Sequence, residues 1–544
     1  MTQPLRLGAL LLAATMLLLP LTACRDSGKD TQSSSIKSAA MASGEKKITV
    51  AISSEPISLD AAQTMDYNSD RVSEDIYDTL LRFADGSMEI EPALCERYEV
   101  SDDGLVYTLH LRHGVKFHDG TDFNAAAVLF NYQRLTDKKN PYYGIGTYPF
   151  GELVASTVKT LTAQNEDTVI ITLYRADASF PTALAIPQVA AIPSPTAIKK
   201  LGKDYGKNPV GTGPYKFKSW VPGNEITFVS NPDYWGGAPA VTRLVYRFVI
   251  DPAARLSQLK AGTVDMAVNI SPSGVDELKA SESIVVDTLQ LRHTWFLIPN
   301  TSVAPFNEVR VRQAFAYAIN QQNIDNYILL GSGEATDNML PESTPLFNGD
   351  VASYDYNPDK ARELLKEAGY EHGLEIDFYV PESGPGMQQP KWMGNAIVDN
   401  LQAVGVILNL KVVPFNDLLE MVVRPPKEQT LQLSALSWIG QRGTAEDFLY
   451  LLCYSKLTPP HGFNMSYWSN KRFDSLLEQA QVSTDLRERH ALFREIQEIV
   501  AEELPYIAID HASAIIAYNN RIRNFKIHPR GFLRFSAVDL ELAD

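Results

Sequence analysis

Cysteine is scarce: the chain has three in 544 residues, at 24, 95 and 453. That excludes a disulfide framework, and no CxxC or Cys/His spacing points to structural zinc. Positive charge is also in deficit. Lys and Arg total 49 against 65 Asp and Glu, for a formal net charge of −16. Nucleic acid is thereby set aside as a partner, because such binders draw affinity from clustered Lys and Arg against phosphates. Histidine is thin, with nine scattered residues and no pair at i, i+4. GxSxG, HExxH and GxxxxGK[ST] are all missing, and GTG at 211–213 lacks the rest of a dinucleotide fingerprint. The sequence therefore presents no catalyst and implies no cofactor. Past residue 23 no apolar run approaches the length of a membrane span, so the body is expected to be water-soluble.

What is present is an ordinary globular composition, 45% hydrophobic and 21% charged, long enough for about three or four structural units. The N-terminus carries an address. Arg6 precedes an uncharged, mostly apolar stretch over 7–23, interrupted by Pro20 and followed by Cys24. That is a secretory signal rather than a fold element. LTAC at 21–24 resembles the bacterial lipobox. The resemblance implies cleavage before Cys24 and lipidation of that residue, and several acyl chains anchor a protein far better than one. Residues 24–45, rich in Ser, Lys, Asp and small side chains after Cys24, read as a flexible tether.

Beyond the tether, strand and helix patterns alternate, which predicts an α/β fold. Strands are expected at 48–52, 105–111, 168–174, 225–230, 242–250, 264–268, 374–380, 406–413 and 431–438. A near-continuous apolar strand is expected at 507–518. Helices are expected at 69–83, 252–261, 307–319, 358–368, 390–404, 472–480 and 486–503. Gly211, Gly213 and Pro214 read as a tight turn. Arg310 and Arg312 are expected to face solvent or an internal acid, and Tyr234 and Trp235 to pack.

Six segments occur in a fixed order: SEPISLD at 54–60, LHLRHGVKFHDG at 109–120, NPVGTGPYKF at 208–217, NPDYWG at 231–236, PFNEVRVRQA at 305–314, and 357–370. Together they resemble the extracytoplasmic solute-binding proteins of ABC importers for peptides and nickel, over 48–540. The resemblance implies a two-lobed periplasmic-binding-protein fold, with a two-strand hinge and an extra subdomain in lobe I. Lobe I is placed at 46–77, 193–290 and 513–544, the inserted subdomain at 78–192, and lobe II at 291–512. It implies no enzyme activity. It implies an exported, membrane-anchored monomer that captures a peptide or peptide-like solute for permease subunits and their ATPases. A nickel-chelate binder of the same family and a signalling receptor are the alternatives.

The resemblance also places ligand contacts. The Trp loop, SWIGQRGTAED at 437–447, lines the family's cleft, so Trp438, Ile439, Gly440, Gln441 and Arg442 are candidate contacts, with Ser58 from the first segment. Peptide binders carry an Asp three residues after the Trp, paired with the peptide ammonium; here Gln441 stands there and supplies no countercharge. The Arg that holds a dipeptide carboxylate is replaced by Gly384. The Arg of nickel binders is replaced by Gln188, and His461 matches their His by region only. Arg442 reads as a partner for a ligand acid, or for Glu446 or Asp447. The expectation is an acidic, peptide-like ligand that needs no buried ammonium partner, such as a modified peptide, a glutathione-like peptide or an opine.

Overall fold

One sheet runs through both halves of the molecule. The computed structural model describes residues 45–541 except 65, 147, 149, 178, 385, 386, 441–443 and 484. Strand β1 is Lys47–Ile52, with both faces buried from Ile48 onward. Helix α1, Tyr67–Ile76, begins where the Asp66 side chain accepts from Ser69 N at 2.9 Å, an ordinary N-cap. The helix expected over 69–83 stops at Ile76, because Tyr77 turns extended (φ −120°, ψ 145°). Asp78 then takes hydrogen bonds from Thr212 (2.8 Å), Tyr234 (2.9 Å) and Trp235 (2.9 Å). Those tertiary bonds outweigh the helical periodicity, and Leu81–Phe83 becomes a short strand.

The inserted segment builds its own sheet. Strands β2 (Cys95–Val100) and β3 (Val106–Leu111), helix α2 (Ala125–Thr136), and strands β4 (Val158–Asn165) and β5 (Thr168–Leu173) follow in sequence. The sheet order is β2-β3-β5-β4, all antiparallel. Alternate residues such as Leu109, Leu111, Val169 and Ile171 close a separate core.

The chain then returns through β6 (Tyr215–Val221), β7 (Glu225–Ser230), β8 (Arg243–Phe248), β9 (Met266–Val268) and β10 (Ile284–Pro299). Helix α3 (Val309–Ala318), β11 (Leu374–Pro381), α4 (Pro390–Gln402), β12 (Val406–Val413), α5 (Phe415–Val422), β13 (Leu433–Ile439), α6 (Glu446–Cys453) and β14 (Ile507–Asn519) complete the frame. The ten-stranded order is β12-β11-β13-β10-β14-β9-β1-β8-β7-β6.

Strands β10 and β14 are the crossing pair. Ile284–Leu289 lies beside 514–519 and Thr294–Leu297 beside 507–511, with the register shifting between Gln290 and Thr294. One half of each strand belongs to a core around Ile48, Val72, Tyr246 and Phe535 or its flank, the other to a core around Phe296, Phe315, Phe378 and Leu433. The fold is thus α/β and two-lobed, joined by two strands. The sequence reading passes over β10, whose residues 284–289 are half-buried to exposed while 293–299 are buried on both faces, so neither half shows a clean period-2 pattern.

The turn at Gly211 and Gly213 presses on the end of α1. A Cβ on Gly211 would lie 2.0 Å from the Ile76 carbonyl oxygen, and one on Gly213 would lie 2.6 Å from the Ile76 carbonyl carbon. His118 pins the turn: Gly211 N donates to its Nδ1 (3.3 Å), so Nε2 carries the proton and donates to Gly213 O (2.9 Å). Burial holds this imidazole down to about 4. Arg312 is buried and donates to the carbonyls of Glu503 and Phe306, while Arg310 pairs with Glu308. Cys95 and Cys453 are buried free thiols. Among the described residues no helix is long and apolar enough to cross a membrane.

Candidate binding cleft

The two lobes meet face to face. Ser383 Oγ donates to Ser53 O (3.0 Å) and Asn416 Nδ2 to Glu55 O (3.3 Å). Tyr67 and Phe532 from lobe I pack with Ile439 from lobe II. Between them lies a small cavity of about 60 Å³.

Its walls differ in chemistry. Asp66 and Tyr67 enter from the start of α1, and His293 from the register shift in β10. The opposite wall is apolar: Met387, Phe415, Leu419, Val423, Leu436 and Met465. Trp438 and Ile439 close it at the end of β13, with Ser437 beside them. Phe150, from the inserted segment, meets Phe463 at 5.3 Å between ring centroids, and Phe463 meets Trp438 at 5.1 Å. The Trp438 indole is oriented by its Nε1, which donates to Asp447 O at 3.0 Å.

The polar wall is desolvated. His293 is 2% exposed, and its Nδ1 has no hydrogen-bond partner. Burial, then the positive charge of Arg71, drive its pKa down to about 3, so the ring is neutral. The Tyr67 phenol is buried, and burial pushes its pKa up to about 12 against the pull of the Arg71 and Arg530 charges. The Tyr67 ring meets His293 edge-on at 6.3 Å and carries the Arg71 guanidinium 4.3 Å from its centroid. Burial also raises the Asp66 carboxyl, against the pull of its hydrogen bonds to Ser69.

Trp438 and Ile439 line the cavity. Gly440 is buried beside it, and a Cβ there would sit 2.8 Å from the Phe448 ring. Gln441 and Arg442 lie outside the described residues, as does Cys24. Ser58 is not in the cavity wall; its Oγ accepts from Asp60 N (3.1 Å) in a local turn. His461 is exposed and also outside the wall. Gln188 is buried and donates to Asp70. At Gly384 a Cβ would approach the Phe415 ring to 2.7 Å, so the ring fills the space a longer side chain would need. The sequence reading missed Asp66, Tyr67, His293, Phe415 and Met465. The one local signal was His293, a ring nitrogen just before the apolar run at 295–298.

The model of the family described as bacterial extracellular solute-binding proteins, family 5 (middle), matches residues 89–458. The chain belongs to that family. It is 31% identical to heme-binding protein A of Haemophilus influenzae, covering 98% of this chain and 99% of that one. It is 31% identical to glutathione-binding protein GsiB of Escherichia coli O1:K1 / APEC, covering 92% of this chain and 96% of that protein. The structure of the ABC transporter-associated periplasmic binding protein DppA from Helicobacter pylori, in complex with the peptide STSA, superposes with a TM-score of 0.85. It is 28% identical, covering 91% of this chain and 98% of that one. This family 5 protein is therefore an extracytoplasmic solute-binding protein of a family of transport components, with relatives that bind peptides. Its cleft lies where α1, β10 and β13 converge.

Proposed function

We propose that this protein captures a peptide or peptide-like solute between its lobes and delivers it to permease subunits driven by their ATPases, held at the membrane by a lipid on Cys24. The observation that carries the reading is the cavity between the lobes, with a polar wall at Asp66, Tyr67 and His293 and an apolar wall across from it. Such a site pays the desolvation cost of its polar groups only when a ligand supplies the missing hydrogen bonds. The peptide bound to the H. pylori relative and the glutathione named for the E. coli relative support this solute class. Arg442 is retained as a contact for a ligand acid.

The test is mass spectrometry of the exported protein purified from its own host, under native and denaturing conditions. A peptide or a ladder of peptides carried through purification supports the reading. A protein that carries no solute and binds none of a panel of di- and tripeptides or glutathione refutes it.

A second reading, capture of a metal chelate or porphyrin, is favoured by one observation: His293 Nδ1 faces no partner in an apolar cavity. An isotope pattern for nickel or a porphyrin absorption band in the purified protein would put this reading first.

A further inference from the structure

Asn269 stands just after β9 in lobe I, buried, with a φ of 53°. That is the left-handed region, which Asn enters more readily than most residues. Two buried cations of lobe I hold it there. Arg255 Nη2 donates to its carbonyl oxygen at 2.8 Å, and Arg71 Nη1 donates to its Oδ1 at 3.3 Å. A guanidinium has donors and no acceptor, so the amide oxygen must face Arg71 and the amide nitrogen must point elsewhere. It points to lobe II, where Nδ2 donates to Gly384 O at 3.4 Å.

Gly384 opens a tight turn of lobe II. Its carbonyl oxygen also accepts from Met387 N at 3.2 Å, and the two residues form an isolated bridge. Met387 is part of the cavity wall. The turn therefore has a bond of its own, within lobe II, and the bond from Asn269 is the one that depends on the lobes meeting. Two neighbouring contacts cross between the same segments: Ser383 Oγ donates to Ser53 O at 3.0 Å, and Gln389 Nε2 donates to Ser271 Oγ. On the lobe I side, the Arg71 guanidinium that faces the amide also lies 4.3 Å from the centroid of the Tyr67 ring, in the opposite cavity wall.

We infer that Asn269 is a positioning residue for solute capture, whose preset amide latches the Met387 turn of lobe II onto lobe I when the lobes close. This rests on the reading that a solute is held between the lobes, and it names a contact that sets how much of the protein is closed. The physical reason is preorganisation. A side chain already held by Arg71 loses little conformational freedom on gaining a further partner. The left-handed backbone fits the same role, since such a conformation persists where its surroundings over-determine it. Here Arg255 and Arg71 do so from within lobe I. On opening, Nδ2 exchanges Gly384 O for water and every other bond of Asn269 stays.

Asn269→Asp isolates the latch. The new side chain has the same shape, tolerates the same φ and keeps an oxygen for Arg71, so lobe I is expected to fold. It has no donor for Gly384 O and sets two oxygens against each other.

The experiment measures the distance between spin labels on the exported protein, attached at Lys218→Cys on β6 and Glu420→Cys on α5, both exposed. Cys95 and Cys453 are buried and stay unlabelled. Distances are recorded for the protein alone and with glutathione as the probe. Wild type is expected to show a closed population in at least one condition. In Asn269→Asp the ratio of closed to open should fall about fivefold or more, the size of one buried hydrogen bond plus a new repulsion. Ser383→Ala should shift it in the same direction, and the unfolding midpoint of Asn269→Asp should stay at the wild-type value. A variant with wild-type distances overturns the latch. A lowered unfolding midpoint with unchanged distances also overturns it, and makes Asn269 a residue of lobe I stability alone. A wild type that is open in both conditions overturns it too, because the closed arrangement that the latch serves would not form. The peptide reading is judged separately, by the mass-spectrometric test above.

Discussion

Arg134 and Asp60 meet where the inserted subdomain joins lobe I, in a two-pronged ion pair. Nη1 donates to Oδ2 at 2.7 Å and Nη2 to Oδ1 at 2.8 Å, with side chains 1% and 0% exposed. Asp60 ends the first family segment, and Arg134 lies in the last turn of α2. Removing one partner leaves the other charged and buried. Arg134→Met is expected to cost about 3–5 kcal/mol in unfolding free energy. Adding Asp60→Asn should recover part of that loss, because no buried charge then remains. Denaturant unfolding of the single and double variants measures it; a single variant within 1 kcal/mol of wild type, on the same principle, would show that the pair is not structural.

The turn beneath α1 makes a steric prediction. Gly211→Ala places a methyl group against the Ile76 carbonyl, which is backbone and cannot swing aside. The expected loss is about 3 kcal/mol or more, at the upper end of overpacking effects. Gly223→Ala is a different test, since nothing lies near its Cβ and the cost there is the left-handed φ of 70°. The two variants should therefore differ in structure as well as stability: only Gly211→Ala should disturb the hydrogen bonds of His118, read from its ring resonances.

Asp510, on the crossing strand β14, gives a pH prediction. Burial, chiefly, pushes its carboxyl from 3.8 up to about 8, with the Asp325 and Glu334 carboxylates adding to it. A folded value above the unfolded one means that the stabilising contribution is present below about pH 4 and is lost as pH rises toward 8. Asp510→Asn can still accept from Glu334 N, the 2.9 Å bond made by Oδ1, and cannot ionise. Wild type should lose stability between pH 5 and 8.5 more steeply than the variant. Parallel pH profiles of the unfolding midpoint would contradict the assignment.

Trp438 should matter through its surface rather than its hydrogen bond. It packs at a tilt against Phe463 and forms a cavity wall, while among the described residues its Nε1 donates to the backbone carbonyl of Asp447. Trp438→Ala is expected to weaken binding of the native solute at least tenfold, and Trp438→Phe by less. Calorimetry on the two variants separates the effects; equal losses would assign the role to the indole N–H.

The anchor predicted from the first 24 residues is tested by fractionation. Cys24→Ser should move the exported protein from the membrane to the soluble fraction and abolish incorporation of labelled fatty acid. Retention of both in the variant would place the anchor elsewhere.

The candidate site was only partly legible in the chain. Trp438 and Ile439 could be found because an entire loop, 437–447, resembles a known one. His293 was hidden, because a lone histidine in an apolar strand is usually a satisfied core residue. Asp66 was hidden for another reason: Asp before a helix is read as an N-cap, and it is one. Nothing local says that the same carboxylate also faces a cavity. Ser58 was drawn in by belonging to a recognisable segment, yet its hydroxyl is used within its own turn.

The sequence by itself determined the family of the protein and the alternation of strands and helices. These are properties of composition, short periodicities and ordered segments, and each is carried by residues close together in the chain. Only the tertiary structure decided what faces the solute. Two long strands, β10 and β14, cross between the lobes and change register on the way. That crossing sets residue 66, residue 293 and residue 465 around one volume. Contacts between residues so far apart depend on where the sheet carries each strand, and no local pattern of side chains encodes that position.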